Sequence, residues 1–395
     1  MSVHSLLSVV QDYLRDTVDP KIDAWLVHDY HDSNPAFRKV LGQEIGMITR
    51  PAYLYMPSAG EPVLVCHHVD AGKFDGLDIP LAIYRSRRSM VEELGKLLPS
   101  GAVVAMEYSP LGTLPRASKV DAGTVELVRS LGAEVESSAD LVQHATQRWT
   151  ELHLASHKRA SAKLHAIVTE AFRYIGQNLS DGPTEFQVAE FIRRRFAEEG
   201  LVTADGPIVA TNEHASDPHY EPLEHRSRPI VSGDWVLIDL WAKEDAEDST
   251  YGDITWVAYV GDIVGEEHQR VFDVVTGARD EALSYLASEV KAGRFPQGFQ
   301  ADEAARRYIA DRGYGEYFTH RLGHSISHEV HGDAVNLDSF ETEDTRRIVP
   351  GICFSVEPGI YLPEFGVRSE IDVYMSEEGP QPTTEIQRDV VLIKP

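Results

Sequence analysis

The stretch H-R-L-G-H-S-I-S-H-E-V-H-G (His320–Gly332) places His320, His324, His328 and His331 on one short segment. Further on, the chain reads F-S-V-E-P-G-I-Y around Glu357 and V-R-S-E-I-D-V around Glu370. Both glutamates sit among Val, Ile and Phe, at the inward phase of an alternating β-type pattern. Upstream, Asp239 in V-L-I-D-L and Asp253 in G-D-I-T-W-V-A-Y-V do the same. A carboxylate inside an apolar strand is costly unless a cation or hydrogen-bond donors meet it. Only Glu370 has an arginine, Arg368, close by in sequence. Four carboxylates carry four negative charges, and two divalent ions supply four positive ones. The pattern therefore predicts that Asp239, Asp253, His324, Glu357 and Glu370 meet around two divalent metal ions.

Taken singly, each residue has a plainer reading. A strand Asp is usually a cap, turn or salt-bridge residue, His324 alone is a core histidine, and Glu357 before Pro358-Gly359 ends a strand. The ordered set, with matching local contexts, is what favours metal. Four oxygen donors and one imidazole suit Mn²⁺, with Co²⁺, Fe²⁺ or Zn²⁺ as alternatives, over a closed structural zinc site. Two ions roughly 3.5 Å apart can share a bridging hydroxide and clamp a carbonyl oxygen, which is the chemistry of amide or ester hydrolysis.

Composition narrows the class. The chain has 395 residues, enough for two domains, with 42% hydrophobic and 25% charged residues, as in a soluble globular protein. A net charge of −26 argues against nucleic acid, whose phosphates need a basic surface. No apolar run reaches the ~18 residues needed to span a bilayer. The N-terminus lacks a basic start and apolar core, so no secretory signal is expected. Cys66 and Cys353 lie in apolar runs and read as buried thiols, which points to a reducing cytoplasm.

Residues 1–147 read as an α/β unit: a helix over 1–17, strands at 24–30, 51–56, 61–67 and 102–107, and helices over 89–98 and 117–131. Residues 148–395 read as a second domain. A long helix over 150–178 is followed by a capping box, Thr184 with Gln187, that opens a helix ending at Gly200. Strands are expected at 208–210, 235–242 and 254–260, helices over 266–292 and 300–312, and mostly strands over 316–395. Helices first and strands later imply an α+β domain with helices outside a curved antiparallel sheet.

The ordered Asp, Asp, His, Glu, Glu set resembles the pita-bread metallopeptidases, in the prolidase and aminopeptidase P branch. The His320–His331 segment is similar to that branch's H-R-T-G-H-x-x-G-x-E-V-H-E signature. V-E-P-G-I-Y resembles its I-E-P-G-I-Y, and V-R-S-E-I-D its V-R-I-E-D. N-E-H-A-S-D-P-H-Y (212–220) looks like a stretch that supplies a substrate-facing histidine. The resemblance covers roughly 150–395 and implies a pita-bread catalytic domain preceded by a smaller creatinase-type α/β domain. It implies a dinuclear-metal hydrolase that cleaves the Xaa-Pro bond at the N-terminus of dipeptides or short peptides. Asp239 and Asp253 would be bidentate and bridging ligands, His324 would bind one metal, and Glu370 would bridge both. Glu357 would be a ligand and proton shuttle. His219 and His331 would touch substrate and stabilise the tetrahedral intermediate, His320 would line the pocket, and Arg368 would hold a carboxylate ligand. A homodimer is the expected assembly.

Four departures stand out. The hairpin between Asp239 and Asp253 is longer than the common pattern, through Lys243–Asp248. Gly332 replaces a glutamate. Val335 stands where prolidases often carry an arginine that pairs with a dipeptide's carboxylate. His328 replaces an apolar residue and has no assigned role. The alternatives are a metal-dependent hydrolase of a small amide or cyclic amidine and, more remotely, a non-catalytic binding protein of the same fold.

Overall fold

The computed structural model describes residues 3–16, 21–42 and 45–394. The chain divides into two compact units, Met1–Arg148 and Trp149–Pro395. No described helix is long and apolar enough to cross a membrane.

The first unit carries α1 (Val3–Asp16), β1 (Ala24–Asp29), α2 (Pro35–Leu41), β2 (Ala52–Pro57), β3 (Val63–His67) and β4 (Leu81–Tyr84). Next come α3 (Arg87–Leu97), β5 (Val103–Met106), α4 (Ala122–Ser130), β6 (Glu134–Ser137) and α5 (Ala139–Thr146). The strands form one mixed sheet in the order β4-β3-β2-β1-β5-β6. Every residue of β1 is buried, because helices cover both faces. Trp25 and Val27 pack against α1, α2 and α5, while Ala24 and Leu26 pack against α3 and α4. The expected N-terminal helix is present over α1, and residues 1, 2 and 17 of that expectation lie outside the described residues. The expected helix over 117–131 begins later, where Asp121 accepts from the backbone N–H of Thr124 and so caps α4. The short strands β4 and β6 are not among those expected from the sequence.

The second unit opens with α6 (Glu151–Gln177) and α7 (Glu185–Glu198), the latter capped by the Thr184–Gln187 box. β7 (Leu201–Val202), β8 (Ile208–Thr211), β9 (Trp235–Glu244), β10 (Gly252–Val260), α8 (Glu266–Lys291) and α9 (Gly298–Ala310) follow. The tail supplies β11 (Ser325–Ile326), β12 (Cys353–Val356), β13 (Gly359–Tyr361), β14 (Gly366–Arg368), β15 (Ile371–Ser376), β16 (Gly379–Pro382) and β17 (Val391–Ile393). One sheet runs β17-β10-β9-β7 with β8 also on β9, a second runs β11-β12-β15-β16, and β13 pairs with β14. Pairing is antiparallel except between β10 and β17.

The tail is less strand-rich than expected. Between β11 and β12 the chain is irregular, because buried carboxylates satisfy its backbone instead of a neighbouring strand. Asp338 accepts from the backbone N–H groups of Phe340, Glu341 and Thr342, and Asp344 from those of Asn336 and Arg346.

β9 separates two cores. Val236, Ile238, Leu240 and Ala242 face α6 and α7, and Trp235 and Leu237 face the core shared with α8, α9 and β12. Asp239 continues this second face at the point where the apolar packing stops. The second core needs close backbone approach beside His324. A Cβ on Gly323 would sit 1.9 Å from the carbonyl oxygen of Ser355 on β12. Gly323→Ala is accordingly expected to lower stability by about 1–3 kcal/mol, read from the denaturant midpoint. An unchanged midpoint would show that this approach is not tight.

Candidate metal centre

Strand pleating places the two aspartates. Pairing sets Asp239 opposite Thr255 and Asp253 opposite Trp241. Alternate residues share a face, so Asp253 and Thr255 project to the same side as Asp239. Glu357 follows β12, Glu370 immediately precedes β15, and Val356 pairs with Ile371, which brings the two glutamates side by side. His324 precedes β11, whose Ser325 pairs with Phe354. Its backbone N–H donates to Ser355 Oγ at 2.9 Å, and that hydroxyl donates to Glu357 Oε1 at 3.0 Å. His324 Nε2 lies 3.3 Å from Glu357 Oε1 and 3.6 Å from Asp253 Oδ2. Asp253, His324 and Glu370 each present a ligand atom within 4.8 Å of the others.

Asp239, Asp253, His324, Glu357 and Glu370 all line one cavity of about 310 Å³, and so do His219, His320, His331 and Arg368. His328 does not belong to its wall. His331 packs edge-on against His324, with ring centroids 4.3 Å apart.

The electrostatics are unbalanced. Arg368 is buried and donates to Asp239 Oδ2 at 2.5 Å, Thr255 Oγ1 at 3.0 Å and Tyr361 Oη at 3.0 Å. Its sequence neighbour Glu370 instead accepts from Thr255 Oγ1 at 2.7 Å. Proximity along the chain thus points to the wrong partner for the arginine, because the Thr255 hydroxyl lies between Arg368 and Glu370 and bonds both. Burial pushes the Asp239 carboxyl up to about 6, against the pull of Arg368. Burial first, then neighbouring carboxylates, hold Asp253 and Glu370 well above the usual carboxylate range. Burial also raises Glu357. Asp239 Oδ1 and Asp253 Oδ1 are buried without a hydrogen-bond partner. Orphaned buried carboxylate oxygens in a site with one buried guanidinium are what a divalent cation would satisfy, so the residues fit a metal.

His320 faces the Arg321 carbonyl through Nδ1 and Tyr361 Oη through Nε2, both at 2.7 Å. A neutral ring donates from Nδ1 and accepts at Nε2, while Tyr361 accepts from Arg368. Burial pushes His320 down to about 3 and Tyr361 up to about 12. His320 is therefore a braced neutral side chain on the wall.

Several supporting residues carry no signal in the sequence. Thr255, Ser355 and Tyr361 look like ordinary strand residues. Asp372 accepts the backbone N–H of Asp253 at 2.8 Å. Glu185, fully buried in α7, accepts from the backbone N–H of Thr211, from Tyr220 Oη and from the backbone N–H of Arg228, at 2.7–3.1 Å. It thereby holds the loop that carries His219. In sequence Glu185 looks like a first-turn helix residue, and only folding reveals its partners. At the rim, Arg321 pairs with Glu341 at 3.1 Å and Trp241 Nε1 donates to Asp205 Oδ1 at 3.0 Å. Val335 is fully buried beside Gly298, off the cavity wall.

Residues 159–377 match the profile of metallopeptidase family M24. The chain belongs to this family. The Xaa-Pro dipeptidase of Lactobacillus delbrueckii subsp. lactis is 28% identical over 264 residues, 65% of this chain. The match covers 64% of that relative, just under two thirds of its length. The probable dipeptidase PepE of Mycobacterium tuberculosis is 26% identical over 372 residues, 90% of this chain and 88% of that protein. The crystal structure of dipeptidase PepE from Mycobacterium ulcerans superposes with a TM-score of 0.75 at 21% identity, covering 100% of this chain and 99% of that one. At that identity the likeness establishes the shared fold. Family membership and the shared fold give this chain the α+β pita-bread architecture.

Removing the guanidinium from this site tests the electrostatic account. Arg368→Leu leaves Asp239 without its partner and is expected to destabilise the metal-free protein by roughly 3–5 kcal/mol, the usual effect of breaking a buried pair. Urea unfolding of chelator-treated protein measures this, and a loss under 1 kcal/mol would contradict it.

Proposed function

We propose that this chain is a dinuclear Xaa-Pro peptidase that acts on the N-terminal bond of dipeptides or short peptides. The observation carrying the reading is the convergence of three buried carboxylates, the half-buried Glu357, His324 and two exposed histidines on one cavity. Asp239, Asp253, His324, Glu357 and Glu370 would hold the two ions, and the oxygen-rich donor set favours Mn²⁺. Once bound, the ions would polarise the scissile carbonyl and make water a competent nucleophile near neutral pH.

The protein's own groups do the rest. Ser355 engages Glu357 Oε1, which leaves Oε2 to take a proton from the attacking water and pass it to the departing nitrogen. A prolyl nitrogen carries no hydrogen in the peptide, so this proton transfer is what releases it as an amine. His219 and His331 donate hydrogen bonds to the oxygen that gains charge. Arg368 fixes the Asp239 carboxylate through a charge-assisted bond, and Tyr361 and His320 brace the guanidinium. The position of Val335 favours substrates whose C-terminal carboxylate needs no pairing there, and Arg321 at the rim is the available cation.

Mn²⁺-loaded protein is expected to release the first amino acid from Xaa-Pro dipeptides and from longer Xaa-Pro peptides. Asp239→Ala should abolish this, and His331→Ala should lower kcat by about 10²–10³. A metal-loaded wild type that turns over no such peptide would reject the reading, and hydrolysis of a cyclic amide by the same protein would favour the small-amide alternative.

A further inference from the structure

His328, which has no part in the cavity wall, belongs to a second cluster. His153, Asp248 and His328 each present a ligand atom within 4.8 Å of the others. The two rings meet edge to face with centroids 4.9 Å apart. Both histidines are half-buried and Asp248 is exposed, so solvent ions reach the cluster. The residues come from three separated segments of the second unit: the first turn of α6, the β9–β10 hairpin and the chain just past β11.

Backbone contacts orient the cluster. His328 Nδ1 lies 3.0 Å from the carbonyl oxygen of Ser249. A ring nitrogen facing a carbonyl donates, which leaves the Nε2 lone pair open. A carbonyl on the far ring nitrogen is the arrangement that orients metal-binding histidines. Thr250 Oγ1 donates to the backbone oxygen of His153 at 2.7 Å, and Lys243 Nζ donates to that of His328 at 2.9 Å. The hairpin residues that follow Asp248 thus hold both histidine segments beside its carboxylate.

We propose that His153, Asp248 and His328 form a binding site for a single divalent transition ion, Zn²⁺ or Ni²⁺, separate from the carboxylate-lined cavity. Two imidazoles and one carboxylate suit these ions, whereas the oxygen-rich cavity suits Mn²⁺. Water completes the coordination on the exposed side. The ion ties the start of α6 and the long hairpin to the segment that runs on to His331, and so braces one wall of the cavity. This goes beyond the peptidase reading and does not rest on it. The long hairpin and His328, both without a role in the sequence pattern, acquire one shared role.

His153 must change partner to take part. Its Nδ1 now accepts from the Thr150 N–H at 3.2 Å, within the cap of α6. A neutral ring in that state carries its proton on Nε2. Coordination through Nε2 shifts the proton to Nδ1 and releases the Thr150 N–H to water. The other half of the cap, from the His153 N–H to Thr150 Oγ1, is retained.

The test is zinc content per full-length chain after equilibrium dialysis, measured by elemental analysis. His328→Gln and His153→Gln should each bind one ion fewer than wild type. The second substitution keeps a side chain that serves the capping box. Asp239→Ala should keep this ion while disturbing the cavity, which separates failure of this site from failure of the peptidase reading. Zinc-edge anomalous diffraction from zinc-soaked wild-type crystals should show a peak between the two imidazoles, whether or not the variants fold. Equal zinc content in wild type and both folded histidine variants, or no anomalous peak between the rings, overturns the proposal.

Discussion

Four carboxylates, three of them buried and Glu357 half-buried, gathered around one buried guanidinium set the terms for the rest of the second unit. Removing a carboxylate from water is unfavourable unless charge or donors replace the lost solvation. Arg368 meets that need for Asp239, Thr255 for Glu370, and Ser355 for Glu357. Two oxygens, one on Asp239 and one on Asp253, stay unmet. The fold therefore carries a local deficit in one small region, which a bound cation would relieve. The apolar packing of Trp235, Leu237, Phe354 and Val356 immediately beyond it supplies the rigidity needed to hold the carboxylates together.

Strands or the residues flanking them carry the carboxylates, and irregular segments carry His219 and His331. His219 sits on a loop that would have little structure of its own without Glu185, whose buried carboxylate gathers donors from three parts of the chain. His331 lies in the segment between β11 and β12, where Asp338 and Asp344 replace strand partners. Chemistry placed on loops needs such anchors, since a loop without them samples many conformations.

The elements most legible in the sequence were long or strongly alternating. α6, α7, α8, β9 and β10 announced themselves through apolar spacing, and the Thr184–Gln187 box marked the start of α7. The four carboxylates and His324 were legible because a charged residue at the inward phase of an apolar strand is unfavourable there unless a cation or donors meet it. The short strands β4 and β6 and the irregular run before β12 were not legible. Their conformation depends on partners distant in the chain, which local periodicity does not report.

The sequence by itself determined which donor groups this protein brings together: the donor types, their order along the chain and their inward phase are local properties. Only the tertiary structure decided who meets whom. Arg368 lies two residues from Glu370 yet pairs with Asp239, 129 residues away. His328 lies four residues from His324 yet belongs with His153 and Asp248. The physical reason is the same in both cases. Side-chain direction is set by strand pairing and loop closure, and these join residues across the chain without regard to their spacing along it.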